Sequence, residues 1–455
     1  MKSPELYPIN TKGKRDPGNV CLPNGVAYAM IKLPGPAVLN GKEFDHMNLK
    51  RFGALTLSAA LTLSLLSGCK TEGGAGSSSG SGAVSGSTSS SGTEAPTMDL
   101  TGVTDPIQAT AGVSGDTVIA TVGDIKVSAA QWLQWVTAYV DQYAPYYTDG
   151  LPWKEDSGSG TLEDAMKQAA LQMAQLYALM PGEAAKMGLT VTEDDLAESK
   201  ANLTKMEEDL GGAEIADHYL WQIPMTREVY LEMRQSAIAS DKIQEARYGE
   251  NGTNRPTDAQ VLEYAATELG VYRTKHILLK TVDTDKPLTD DSDRNTGLYE
   301  PLDDATVAEK KKLAEDILTQ LDASSDPVGL FDELMNQYSE DEGLESNPDG
   351  YEATSGQMVE AYEQAAQKLK EGEYSGIVES QYGYHIILRL PLIADNYRSE
   401  CAAYMMNQDN MKLLDANPAA TTAEFDSIDL QEFYENLTAL RNTVAKELAE
   451  VQSSK

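Results

Sequence analysis

Two short, similar stretches constrain this chain more than any other feature: Tyr272–Leu279 (YRTKHILL) and Gln381–Leu390 (QYGYHIILRL). Each sets one histidine directly before Ile-Leu or Ile-Ile in a run rich in β-formers, so each reads as a buried strand. The chain has only four histidines, and two of them open these strands. A lone histidine on a strand edge is usually a satisfied structural residue. The pair gains weight from what lies between.

From Thr306 the intervening segment reads TVAEKKKLAEDILTQL, where Thr306 and Glu309 predict a capping box at the start of an amphipathic helix. Then follow FDELMNQYSEDEG, NPDGY, SGQMVEAYEQAAQKLKEGEYSGIV and the second histidine strand. That order, over Val271–Pro391, resembles the parvulin family of peptidyl-prolyl isomerases. The matching pieces are HILL in the first strand, Y-S-x-D at Tyr338–Asp341, G-Q-M at Gly356–Met358, L-K-E-G-E-Y-S at Leu369–Ser375, and G-Y-H-I-I at Gly383–Ile387. None is specific alone; five in the family's order, at compatible spacing, carry the resemblance.

The resemblance implies a small antiparallel sheet surrounded by helices, and a chemistry that needs no nucleophile, cofactor or metal. Rotation about a peptide bond costs ~18–20 kcal/mol, and only X-Pro bonds populate cis appreciably. A site that lowers this barrier must grip proline, exclude water and favour the twisted amide. Carried over from the family, His276 and His385 are the paired inner histidines, Asp341 is the acidic neighbour, and Ser380 is a supporting hydroxyl. Met358 and Tyr362 match the proline pocket, and their i, i+4 spacing puts them on one face if a helix begins by Met358. The turn Asn347-Pro348-Asp349-Gly350-Tyr351 departs from the family's Gly-Gly-Asp-Leu-Gly, and Ala353 stands where an aromatic is expected. Tyr351 is the residue expected to fill that space.

The segment after the first histidine strand, TVDTDKPLTDDSDRN, is acidic, so a phosphate-reading role is not expected. Asp283, Asp285, Asp290, Asp291 and Asp293 offer oxygen ligands, but the Gly and terminal Glu of an EF-hand loop are missing. A solvated loop is the expectation, with no metal. The chain also has no H-E-x-x-H and no G-x-S-x-G, and the parvulin-like stretch has no Cys-His pair for hydrolytic chemistry.

Upstream, MNLKRFGALTLSAALTLSLLSGC reads as a signal peptide over residues 47–68, with a basic start, an apolar core and a stretch too short for a comfortable span. Its LSGC end resembles the bacterial lipobox, which implies lipidation of Cys69 and membrane attachment. Residues 1–46 lack helical or strand periodicity and read as a leader, untranslated or disordered, with Met47 as the expected start. Residues 69–115 are assigned as a tether. Its Gly/Ser-rich part, Lys70–Thr97, has a root-mean-square reach of ~30 Å. The formal net charge of −35 argues against nucleic acid and favours cationic partners or clients.

Residues 116–270 read as mostly helical. TVIATVGDIKVS predicts a small hairpin, and Ser128 with Gln131 predicts a capping box for a helix carrying Trp132, Trp135 and Tyr139 on one core face. Thr161, Thr192, Thr226 and Thr257 repeat the N-cap signal. Met166, Met173, Leu176 and Met180 line one of these helices, with a stop expected at Pro181. After Pro391, residues 392–455 predict two more helices. The apolar face Phe433, Leu437, Leu440 requires a partner, expected to be the helical region. Cys401 is the only cysteine after Cys69, so a lipidated Cys69 leaves no pair for an intrachain disulfide. This arrangement, a helical region before a parvulin domain (271–391), resembles the SurA/PrsA type of extracytoplasmic foldase. The expected class is therefore α+β, with unfolded exported proteins bearing X-Pro bonds as clients. A holdase whose parvulin domain is degenerate is the alternative, favoured by Ala353 and the altered turn.

Overall fold

The computed structural model describes residues 95–147, 150–156, 160–288 and 298–453. The leader, the signal peptide, Cys69, most of the Gly/Ser stretch, Asp290, Asp291 and Asp293 lie outside them. Among the described residues, no helix is long and apolar enough to cross a membrane.

The helical body opens with α1 (Pro106–Ala111), capped by Asp105. β1 (Val118–Val122) and β2 (Ile125–Ser128) then form the expected antiparallel hairpin. Its turn passes through Gly123 at φ 58°, a left-handed conformation that suits glycine. The helices that follow are α2 (Ala129–Tyr143), α3 (Leu162–Lys186), α4 (Glu193–Leu210), α5 (Ala213–Trp221), α6 (Arg227–Tyr248) and α7 (Asp258–Thr267). Ser128 caps α2 in a reciprocal box with Gln131, and Thr161, Thr192, Thr226 and Thr257 cap α3, α4, α6 and α7. Trp132, Trp135 and Tyr139 are all buried, as are Met166, Met173, Leu176 and Met180. The methionines therefore fill a core and form no adaptable surface.

Two expectations fail here. α3 does not stop at Pro181 but runs through it to Lys186. A proline inside a helix costs ~3 kcal/mol. Burial of Met180 and Ala184 on either side, in a helix packed against α2 and α6, offsets that cost. The tether also ends earlier than residue 115. Met98, Leu100 and Val103 pack with Trp221, Leu440 and Val444, and Ile107 in α1 is fully buried. Apolar residues at these positions bring the chain back to the body.

The second half contains β3 (Tyr272–Lys280), β4 (Val282–Pro287), β5 (Tyr299–Pro301), α8 (Asp304–Ala323), α9 (Pro327–Tyr338), β6 (Tyr351–Ala353), α10 (Glu360–Lys368), β7 (Val378–Ser380) and β8 (Gly383–Leu390). Four strands make an antiparallel sheet in the order β6-β3-β8-β7. One sheet face, with Ile277, Leu279, Ile386 and Leu388, packs on Ile317, Leu321, Phe331 and Leu334 of α8 and α9. The acidic segment is not simply a solvated loop: β4 pairs with β5, and Asp283 pairs with Lys286 at 3.0 Å. The cap of α8 is Asp303, not Thr306. Asp303 Oδ1 accepts from the amides of Ala305 and Thr306 at 3.1 and 3.0 Å, and the Thr306 hydroxyl donates to Oδ2 at 2.7 Å. An aspartate three residues upstream takes the role first, because it reaches two orphan amides at once.

The chain then returns through α11 (Arg398–Ala416), β9 (Ala419–Thr421), α12 (Ala423–Ser427) and α13 (Leu430–Ser453). β9 pairs with β1, completing the sheet β2-β1-β9. Phe433, Leu437 and Leu440 are fully buried, with α13 packed against α1 and α5. The C-terminal segment is thus part of the helical body.

Candidate functional site

Strand alternation divides the four-stranded sheet into two chemically different faces. Opposite the apolar core just described, β3 presents Tyr272, Thr274 and His276, and β8 presents His385, Ile387 and Arg389. The register pairs His276 with Ile387 and Leu278 with His385, so the two histidines are diagonal neighbours on one face. Their ring centroids are 5.3 Å apart, with planes inclined at 63°.

Helix α10 covers this face. A turn through Gly356 at φ 86° delays its start to Glu360, so Met358 precedes the helix and does not share a helical face with Tyr362. Met358 packs, half-buried, in the cluster of Tyr272, Ala353, Val359, Tyr362, Ala366 and Ile387. Tyr362 is only 2% exposed and meets both imidazoles edge-on, with centroids at 5.2 and 5.5 Å. Its hydroxyl lies 2.8 Å from Thr274 Oγ1 and 3.2 Å from His276 Nδ1. Tyr362 thus joins the histidine network from the covering helix. Ala353 is buried below the same helix.

The segment after α9 runs beside β3 and delivers the carboxylate. Ser339 Oγ accepts from the amide of Leu278 at 3.1 Å, and Glu340 N donates to Leu278 O at 2.8 Å. Two residues past Ser339, Asp341 Oδ2 lies 3.5 Å from His276 Nε2, long for a hydrogen bond but close for charge. Asp341 Oδ1 accepts from the amide of Gly343 at 3.0 Å, and the Tyr351 hydroxyl donates to Oδ2. Tyr351 also stacks on His276, with planes 18° apart and centroids at 5.6 Å. On the other side, Ser380 Oγ is 2.7 Å from His385 Nε2 and accepts from the amide of Tyr382 at 3.1 Å.

Burial sets the protonation of the pair. It pushes the His276 imidazole below its ordinary value, with the charge of Asp341 opposing the shift. Burial also takes His385 down to about 3, helped by repulsion from His276. Both rings are therefore neutral near pH 7. A carboxylate only accepts, so a neutral His276 that carries its proton on Nε2, facing Asp341, can accept from Tyr362 at Nδ1. Burial raises the Tyr362 phenol, which keeps that donor protonated. The result is a hydrogen-bonding floor of two neutral imidazoles beside one carboxylate. Such a floor can favour a redistributed amide electron density without offering a nucleophile.

His276, Asp341, Ser380, His385, Tyr351 and Tyr362 thus converge in one cluster, with Met358 at its apolar flank. Sequence reasoning missed Thr274 and Gly343. Thr274 had a signal: it lies two residues before His276 and so shares its strand face. Gly343 had none, because its role is an amide aimed at Asp341.

A family model for the PPIC-type PPIASE domain (Rotamase) matches residues 276–390, which enclose every residue of this cluster except Thr274. The foldase protein PrsA of Caldanaerobacter subterraneus subsp. tengcongensis is 27% identical over 311 residues, 66% of this chain and 83% of that protein. PrsA of Bacillus subtilis is 34% identical over 132 residues, which are 29% of this chain and 34% of that one. PrsA 1 of Bacillus cereus reaches 53%, over 58 residues that make up only 20% of its length. The crystal structure of PrsA from Bacillus subtilis is matched at 21% identity over 64% of this chain and 91% of its own, with a TM-score of 0.20.

Proposed function

We propose that this PrsA-like chain, with its PPIC-type peptidyl-prolyl isomerase domain, is a foldase that turns X-Pro bonds in unfolded exported proteins outside the cytoplasmic membrane, held there by a lipid on Cys69. The observation that carries the catalytic part is the diagonal pair His276 and His385, neutral by burial, with Asp341 against one ring and Ser380 against the other. The client's proline sits by Met358, and the histidines with their partners stabilise the twisted amide. No covalent bond forms or breaks.

The helical body acts as the chaperone part. The formal net charge of −35 favours clients that carry positive charge while unfolded. A purely holding chaperone is the second reading, and one observation favours it: Ala353, 3% exposed beneath α10, puts no aromatic ring where the family's pocket has one.

An isomerisation assay on short X-Pro peptides, by protease coupling or NMR exchange, separates the two. Turnover that His385→Ala lowers in a folded protein supports the isomerase. No turnover by the wild-type chain, with aggregation of an unfolded client still slowed, leaves the holding chaperone.

A further inference from the structure

We infer that Tyr351 is a positioning residue for the Asp341–His276 pair and not a wall of the proline pocket. The inference rests on the isomerase reading of the site. Two contacts converge on this one side chain. Its ring lies nearly parallel to the His276 imidazole, at 18° and 5.6 Å, and fixes the plane in which that ring can turn. Its hydroxyl donates to Asp341 Oδ2, the same oxygen that faces His276 Nε2 at 3.5 Å.

The surroundings are shaped for this arrangement. Asp341 Oδ1 is already held by the Gly343 amide at 3.0 Å. The carboxylate is therefore gripped at both oxygens, with one rotation left to it that suits His276. A methyl group on Gly343 would collide with the Tyr351 hydroxyl. Glycine at 343 thus leaves room for the phenol to reach the carboxylate. Tyr351 itself is fixed by pairing with Thr274 across β6 and β3, on the strand that carries His276. The phenol, the carboxylate and the imidazole are consequently referred to one backbone.

Without the hydroxyl, the Asp341 carboxylate keeps the hydrogen bond from the Gly343 amide to Oδ1, and Oδ2 is free to turn away from His276. His276 Nε2 then loses the acceptor that selects its tautomer, and Nδ1 no longer accepts reliably from Tyr362. A residue acting this way changes the chemical step, whereas a pocket wall changes proline binding.

The test compares Tyr351→Phe, Tyr351→Leu and Gly343→Ala with the wild-type full chain on a short X-Pro peptide. Measured are kcat and KM, the thermal midpoint, and the 15N shifts of the His276 ring. Tyr351→Phe keeps the stack and removes only the hydroxyl. It should lower kcat about tenfold, the scale of one hydrogen bond to a charged group, with KM within about twofold. The 15N shifts should move from a single Nε2-protonated tautomer to a mixture. Gly343→Ala should give the same kinetic signature by displacing the hydroxyl, and it decides the matter if Tyr351→Phe does not fold. Wild-type kcat and tautomer in folded Tyr351→Phe, or in folded Gly343→Ala if only that variant folds, overturn the inference. So does a raised KM as the sole effect of Tyr351→Leu. His385→Ala in the same assay keeps the two levels apart. If folded His385→Ala is fully active, the isomerase reading fails. If it loses activity while Tyr351→Phe does not, only the role of Tyr351 falls.

Discussion

His276 and His385 stand diagonally across β3 and β8 with their ring centroids 5.3 Å apart, and each is held by a different partner. Asp341 and Tyr362 serve the first, and Ser380 serves the second. Because the rings touch, removing one changes the environment of the other. His276→Ala and His385→Ala should each lower kcat/KM by about tenfold to a hundredfold, the range expected for losing one positioned polar group in a buried site. The double variant should lose much less than the product of the two. Measured with thermal midpoints on the same preparations, fully multiplicative losses would show that the rings act independently. Activity falling only in step with unfolded protein would make the pair structural.

The same burial predicts how stability responds to acid. Both histidine pKa values are lower in the folded chain than the ordinary value near 6.5, and His385 falls to about 3. The unfolded chain therefore binds protons that the folded chain does not, in the window from about pH 6.5 down to 3. The histidine contribution to stability is complete above that window and is lost as pH falls through it. Urea midpoints taken from pH 8 to pH 4 should fall on acidification. His385→Gln should flatten the slope, because it removes the group whose lowered value is assigned. An unchanged slope in that variant would move the acid sensitivity elsewhere.

Gly383 should be intolerant of a side chain. Its φ is 141°, and a Cβ there would lie 2.7 Å from Thr281 N and 3.0 Å from Lys280 Cα. These neighbours are backbone atoms at the end of β3 and just after it, and cannot step aside cheaply. Gly383→Ala should cost about 1–3 kcal/mol, the usual strain for a disfavoured backbone conformation. Isomerase activity should fall as well, because β8 carries His385 two residues on. A variant of wild-type stability and activity would contradict the close approach.

Much of this was legible in the sequence, for reasons that particular residues make plain. Two histidines in matched strands predicted a shared sheet, and the capping threonines marked helix starts because an N-cap is a local interaction. What failed was decided at long range. Pro181 ends a helix on local grounds, yet packing carries α3 past it. Met98 and Leu100 sit beyond a Gly/Ser tract and look like tether until Trp221 and Leu440 are beside them. Asp303 and Thr306 both satisfy the cap pattern, and only geometry chooses between them. Tyr351 was expected as a substitute pocket aromatic, since no pattern in the chain says that its hydroxyl reaches Asp341.

Membrane attachment is tested at Cys69, which lies outside the described residues. Cys69→Ser should release the protein from membranes, because a Gly/Ser-rich segment has no affinity for lipid and a cleaved signal peptide leaves no span. Fractionation of cells expressing each form checks this. A Cys69→Ser protein that stays with the membrane would argue for an uncleaved anchor or another attachment.

The last prediction concerns which parts stand alone. The ends of the isomerase domain are adjacent: Arg273 pairs with Leu390 across β3 and β8, and Arg273 Nη1 donates to Pro391 O at 3.3 Å. Val271 and Leu392 pack in one cluster with Tyr264, Tyr397 and Cys401. Replacing Tyr272–Leu390 with a short Gly/Ser bridge should therefore leave the helical body folded, still able to slow client aggregation, with isomerase activity gone. Removing residues 392–455 should have the opposite outcome and unfold the helical body, although that segment follows the isomerase domain in the chain. β9 completes the sheet with β1. Arg441 donates to both carboxylate oxygens of Asp141, at 2.8 and 2.7 Å, and to Gln222 O at 2.8 Å. Fully buried Phe433, Leu437 and Leu440 leave with the segment, and each is worth roughly 1.5–3 kcal/mol of burial. Their loss is comparable to the whole stability of a typical domain. Circular dichroism melts on the two deletions distinguish these expectations. A cooperative melt for the C-terminal truncation, or none for the bridged form, would mean that the division between body and isomerase domain is drawn in the wrong place.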